Sequence, residues 1–238
     1  MALLLNTPNE GNRFEEFYGR ATREMPKLIK AKRAPVSFAG VLKRRLEVGD
    51  PDFKYHGVRG AWVNRSFTTP DGAATSHDGS AKFVPDAAYV TGINSATILV
   101  RGAVPFSDEE FGKLEGEFFS ADVVKKFFNR SLTRNEVEAP HPGWLAAARD
   151  DRALLRDYAA LVFAGKNDFY RAMAFYVSRP PVRGAEGCLW SVSWLHYSIY
   201  SSDANGHDHL DGGIGRLVGE APEAPRAAKL EQRVLTQG

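Results

Sequence analysis

Cysteine is almost absent from this 238-residue chain: Cys188 stands alone, which excludes any intrachain disulfide and favours a reducing compartment. Between Gly187 and Leu189 its thiol reads as a small buried apolar group rather than a nucleophile. Long apolar runs are missing too, and none approaches the roughly 18 residues that a membrane-crossing helix needs. The opening Met1-Ala2-Leu3-Leu4-Leu5 has no preceding positive charge and is stopped by Asn6, Thr7 and Pro8, so it does not read as a secretory leader. Glu10, Glu15 and Glu16 argue against a cleaved organelle presequence, which is poor in acids. The expected location is therefore intracellular: the cytoplasm, or an organelle matrix reached without a cleaved presequence. Charge of one sign is not in excess. The chain holds 31 basic and 29 acidic side chains, a net of +2, too little to imply a nucleic-acid or membrane-surface partner by itself. There is no Walker sequence, no Gly-x-Ser-x-Gly elbow, no paired-cysteine motif and no repeat at a solenoid period.

What the chain does have is aromatic residues, concentrated in one stretch. From Gly187 to Tyr200, Trp190, Val192, Trp194, His196 and Tyr200 alternate with Leu189, Ser191, Leu195, Tyr197 and Ile199. This period of two, filled with residues of high strand preference, predicts a long central strand with Trp190 and Trp194 buried on the same face.

Around it the other elements can be read in turn. Thr7-Pro8-Asn9-Glu10 has the form of a capping box with Pro at the first helical position. It predicts a helix carrying Phe14, Phe17, Tyr18 and Ala21 and ending near Pro26. Val58–Phe67 and Ala87–Val100 read as strands, with turn chemistry between them at Thr69-Pro70-Asp71-Gly72 and His77-Asp78-Gly79-Ser80. Ser107 with Glu110, and Ser120, predict helix starts. Trp144–Ala164 is the strongest helical pattern, striped by Leu154, Leu155, Tyr158, Leu161 and Val162, and Asn167 is read as capping a shorter helix. The expected fold class is α+β, a mainly antiparallel sheet with a central block of helices and extended polar termini. Its divisions are a basic N-terminal helix and arm over residues 1–46, a core over 47–219, and a linker and tail over 220–238.

The only dense cluster of metal-capable side chains follows the aromatic stretch. His207-Asp208-His209-Leu210-Asp211, with Gly212-Gly213 after it, resembles the His-x-His-x-Asp-His motif of metallo-β-lactamase-like hydrolases. That resemblance implies Zn²⁺ held by His207, His209 and Asp211, with a bound hydroxide as nucleophile; a fourth ligand has to come from elsewhere, and His196 is the nearest in sequence. Gly212 stands where the motif's last His belongs, and no His follows it in this chain. The same segment, Asp203-x-Asn205-Gly206-x-x-x-x-Asp211, is similar to an integrin-type Ca²⁺ loop, although His207 and Asp208 replace two of its positions. The reading set against these is a polar loop whose Asp and Asn side chains satisfy nearby backbone, with no cofactor and with Zn or Ca as the alternatives.

Residues 1–46 hold ten basic and four acidic side chains. Lys27, Lys30, Lys32, Arg33, Lys43, Arg44 and Arg45 form the candidate interface or basic patch. Glu16–Lys27 resembles the first helix of LYR-type accessory subunits of mitochondrial respiratory complex I, though Gly19 occupies the place of that motif's Arg. With no complete catalytic set in view, the leading expectation is a non-catalytic structural or accessory subunit that packs with other protein subunits in an intracellular assembly, an organellar complex or a virion. A metal-dependent hydrolase using the His207/His209/Asp211 segment is the alternative, and a nucleic-acid-binding module using the basic arm is the second.

Overall fold

A computed structural model describes residues 3–139, 141–167, 169–195, 202–212 and 215–222. The chain opens on a 3-10 turn at Pro8–Glu10, where the Thr7 amide donates to the Glu10 carboxylate at 2.7 Å. Strand β1 (Phe14–Gly19), helix α1 (Ala21–Lys30), the short strand β2 (Ala34–Pro35) and helices α2 (Phe38–Gly49) and α3 (His56–Val63) follow. A hairpin of β3 (Phe67–Ser76) and β4 (Ala81–Val84) comes next, then α4 (Ala88–Thr91), β5 (Val104–Phe106), α5 (Asp108–Lys113) and β6 (Glu117–Phe119). The helical block is α6 (Ala121–Phe127), α7 (Arg134–Glu138), α8 (Pro142–Ala147) and α9 (Arg152–Val162). The chain then returns to the sheet as β7 (Phe175–Val177), β8 (Ala185–Val192), β9 (Ala204–Asp208) and β10 (Gly215–Glu220).

The fold is α+β as expected, but the sheet is mixed rather than mainly antiparallel. Its main path runs β1-β10-β3-β8-β9-β7, with β10 parallel to β3 and β7 parallel to β9. Helices cover both faces. On one side Trp62, Trp144, Tyr158 and Trp190 join the larger core; on the other Met25, Leu28, Val90 and Leu210 form a second. Burial from both sides explains β3, in which every residue is buried and no polar–apolar alternation survives. Its Thr69-Pro70-Asp71-Gly72, read as a turn, is an irregularity inside the strand, where the pairing to β8 shifts between Thr68 and Gly72. Proline fits such a break because it has no amide to give the ladder.

Asp71 uses that break. Its carboxylate accepts the Phe38 amide at 2.6 Å and the Asp86 amide at 3.0 Å, and pairs with Arg149 at 2.7 Å. Arg149 and Asp150 lie in the left-handed region, φ 57° and 60°, and divide the expected Trp144–Ala164 helix into α8 and α9. Val58–Phe67 and Ala87–Val100, expected as strands, contribute α3 and α4 instead.

The helix expected after Thr7 is β1. Phe14 and Phe17 are both buried, a spacing that a helix would share, but the chain is extended and paired to β10. Asn6 occupies its outer edge: its Oδ1 accepts the Phe14 amide and its Nδ2 donates to the Phe14 carbonyl, both at 2.7 Å. The helical part begins at Ala21 and runs through Pro26. Residues 1–46 therefore supply two strands and two helices to the common sheet and core. The tail expected over 220–238 begins within β10, and from residue 223 onward lies outside the described residues.

The basic candidates separate by position. Lys30, Lys32 and Lys43 are exposed, Lys27 pairs with Glu24 at 2.6 Å, and Arg33 pairs with Glu15. Arg44 and Arg45 are buried and do not belong to a surface patch. Arg44 pairs with Glu10 at 2.7 Å. Arg45 is fully enclosed and donates to the Trp62, Arg65 and Ser193 carbonyls, to Tyr158 and to Ser202. Among the described residues no helix is long and apolar enough to cross a membrane.

Candidate functional site

The aromatic strand positions the site but stops short of its expected length. β8 ends at Val192. Trp190 is fully buried with its indole donating to the Gly72 carbonyl at 2.9 Å, whereas Trp194 is 49% exposed. The two do not share a buried face, because the chain leaves the sheet between them. Residues 196–201 lie outside the described residues, and His196 with them.

The segment expected as a polar loop is largely a strand. β9 pairs with β8, Leu189 opposite Asp208 and Val192 opposite Ala204, and lies parallel to β7 on its other side. Two of the side chains that suggested a Ca²⁺ loop are engaged in this pairing region, one through an oxygen and one through a nitrogen. Asp203 accepts the Ala174 amide at 2.8 Å, and Asn205 donates to Ser193 Oγ at 2.7 Å. Burial pushes the Asp203 carboxyl up, against that hydrogen bond.

Past β9 the chain is held by Leu210, whose amide donates to the Gly102 carbonyl at 2.8 Å and whose side chain is fully buried. His207, His209 and Asp211 are exposed around that anchor. Gly102, at φ +82°, permits the approach: a Cβ there would stand 2.5 Å from Asp211 Oδ1 and 2.7 Å from His209 Cβ. Among the described residues no three His, Cys, Asp or Glu side chains are grouped so as to hold a metal ion.

Three hollows open around this segment. The first, about 420 Å³, lies where the ends of β1, β9 and β10 meet, walled by Gly19, Thr68, His207, Asp208 and Gly215. The second, about 280 Å³, shares Thr68, Asp208 and Gly215 with it and is rimmed by Tyr18, Arg65, Trp194 and Arg216. The two are thus one groove along the β1–β10 side of the sheet. Tyr18 is 53% exposed and carries the Arg216 guanidinium 4.2 Å from its ring centroid, and Glu16 pairs with that guanidinium. The third hollow, about 600 Å³, lies on the other side of His207 and His209, among Arg101, Tyr176, Arg179 and Glu186.

His207 and His209, singled out in the sequence, border both the first and the third hollow. Tyr18, Arg65 and Arg216 were not singled out as site residues. Their signal was faint: Arg65 lies in a stretch read as strand, and Tyr18 in one read as helix. Arg216 lies in the glycine-rich Gly213–Gly219.

No protein-family model matches the chain, and no curated protein matches it in sequence. Among solved structures it is similar to one described as "Accommodation of massive sequence variation in Nanoarchaeota by the C-type lectin fold", with a TM-score of 0.64 and 15% sequence identity, covering 88% of this chain and 99% of that one. At that identity the likeness is one of fold: the chain's architecture is that of the C-type lectin fold.

Proposed function

We propose that this chain is a non-catalytic recognition module that takes its place in a larger protein assembly by gripping a partner protein in the groove of Tyr18, Arg65, Trp194 and Arg216. The observation that carries this reading is the composition of the groove rim. Tyr, Trp and Arg are the residues enriched in interface hot spots, and here they surround a shared hollow with a backbone floor held by strand pairing. The solved neighbour is described as accommodating massive sequence variation within this fold. By analogy, a rigid scaffold here presents a face whose side chains are free to suit a partner. Exposed Arg65, beside Arg216, favours a partner segment that brings carboxylates together with apolar side chains.

The test is selection of binders from a randomised peptide display library on the purified chain, followed by affinity measurement on Tyr18→Ala, Trp194→Ala and Arg216→Ala variants whose unfolding midpoints match the parent. Binders should be rich in Asp, Glu and apolar residues, and each substitution should weaken them by about 2 kcal/mol. Binders that converge on another face and keep full affinity for all three variants would refute the reading.

A further inference from the structure

The third hollow opens on the other side of His207 and His209 from the partner groove. Two guanidiniums, Arg101 and Arg179, and two imidazoles, His207 and His209, meet there with a single carboxylate, Glu186. Glu186 does not neutralise them. It approaches Arg101 only to 3.5 Å, longer than the roughly 2.7–2.9 Å of a charge-assisted hydrogen bond, so donors on that guanidinium remain. Arg179 is exposed and forms no ion pair among the described residues. The surplus of donors opposes a divalent cation and favours an oxyanion, which a guanidinium grips through a planar fork of N–H groups.

The walls indicate what carries the anion. Tyr176 on β7 lines the hollow and packs against His207, with ring centroids 6.2 Å apart and planes at 81°. Asn129 fixes the β7 edge behind it: its amide donates to the Phe175 carbonyl at 2.8 Å and its Oδ1 accepts the Val177 amide at 2.9 Å. At about 600 Å³ the space exceeds a bare inorganic ion and falls within the roughly 300–1,000 Å³ of small-molecule sites. We infer that this hollow binds a phosphate or sulfate monoester of a small ring-bearing molecule, with Arg101 and Arg179 on the oxyanion and the ring against Tyr176.

Calorimetric titration of the full chain with 4-nitrophenyl phosphate, 4-nitrophenyl sulfate and uncharged 4-nitrobenzyl alcohol tests this, with the two esters separating a phosphate from a sulfate preference. At least one ester should bind saturably at millimolar concentration and the alcohol should not. Arg179→Gln should weaken the ester by roughly tenfold or more, the loss of one charged hydrogen-bonding group, and Arg179→Glu should abolish it. Arg101→Gln should weaken it as well, whereas Tyr18→Ala and Trp194→Ala should leave it unchanged, which separates this site from the groove. All these positions are exposed, and unchanged unfolding midpoints verify folding of each variant. Absence of saturable binding by either ester, equal binding of the alcohol, or insensitivity to both arginine substitutions overturns the inference.

Discussion

Arg45 is a buried cation whose partners among the described residues are all neutral, and removing it should damage the fold more than its single position suggests. Its guanidinium donates to the carbonyls of Ser193 at 2.7 Å, Arg65 at 2.7 Å and Trp62 at 3.1 Å, and to Tyr158 Oη at 2.9 Å and Ser202 Oγ at 3.1 Å. The two hydroxyls also bond each other at 2.6 Å and so retain a partner in its absence. The three carbonyls, that of Trp62 buried and those of Arg65 and Ser193 partly so, lose this donor, and an acceptor left unpaired costs about 1 kcal/mol or more. Arg45→Met fills most of the volume yet donates nothing, so it should lose about 3 kcal/mol from the carbonyls alone. Arg45→Ala adds a cavity and should reach about 5 kcal/mol. With a urea m-value of about 3 kcal/mol/M, these correspond to midpoint shifts of about 1 M and about 1.7 M. Urea unfolding followed by tryptophan fluorescence reads both. If Arg45→Met unfolds at the parent's midpoint, the carbonyls do not need the guanidinium and the reasoning fails.

Two further outcomes follow from the same structure. Trp190→Ala should cost about 3–5 kcal/mol because its ring is fully buried among Phe83, Phe175 and Gly206, while Trp194→Ala, half exposed, should cost under about 1 kcal/mol; similar losses at both would show that β8 continues to Trp194. His141 gives a pH dependence. Burial pushes its imidazole down to about 4, helped by nearby Arg130 and opposed by the Phe127 carbonyl that its Nε2 meets at 2.8 Å. The unfolded chain protonates this group near 6.5, so between about pH 6.5 and 4 it binds more protons than the fold does. The contribution is complete above that window and falls by about 3 kcal/mol as pH drops through it. Urea midpoints measured across the window for the parent and His141→Gln should show a shallower decline in the variant, and parallel curves would remove His141 from the account.

Local capping chemistry was legible in the sequence. Ser107 with Glu110, and Ser120, start α5 and α6 where their side chains accept backbone amides. The His77–Ser80 turn links β3 to β4, and the strand opening at Gly187 is the heart of β8. What could not be read is what tertiary structure imposes. β3 lacks alternation because helices cover both its faces, and its Pro70-Asp71 break is stabilised by Phe38, Asp86 and Arg149, all distant in sequence. β1 imitates a helix because its buried residues lie three apart and its outer edge is closed by Asn6 rather than by another strand. Arg45 resembles its neighbour Lys43 in a list of charges, yet one is exposed and the other enclosed by five acceptors. At the site, His207 and His209 were visible, but the arginines and Tyr18 that give the hollows their character come from segments that only the sheet brings together.

The pairing of β1 with β10 sets the order in which this molecule becomes whole. Arg13 meets Glu220 across 207 positions, and β1 has its partner strand only where the described chain closes. During synthesis the first strand therefore emerges long before anything can receive it, and β2 and the near side of β3 wait for the same residues. Contacts of such separation slow folding and leave unpaired strand edges exposed in the interval. Helices α2, α3 and α9 pack without β10, so their contacts do not depend on that pairing. The groove beside Tyr18 and Arg216, built from both strands, exists only once that long-range pairing has closed.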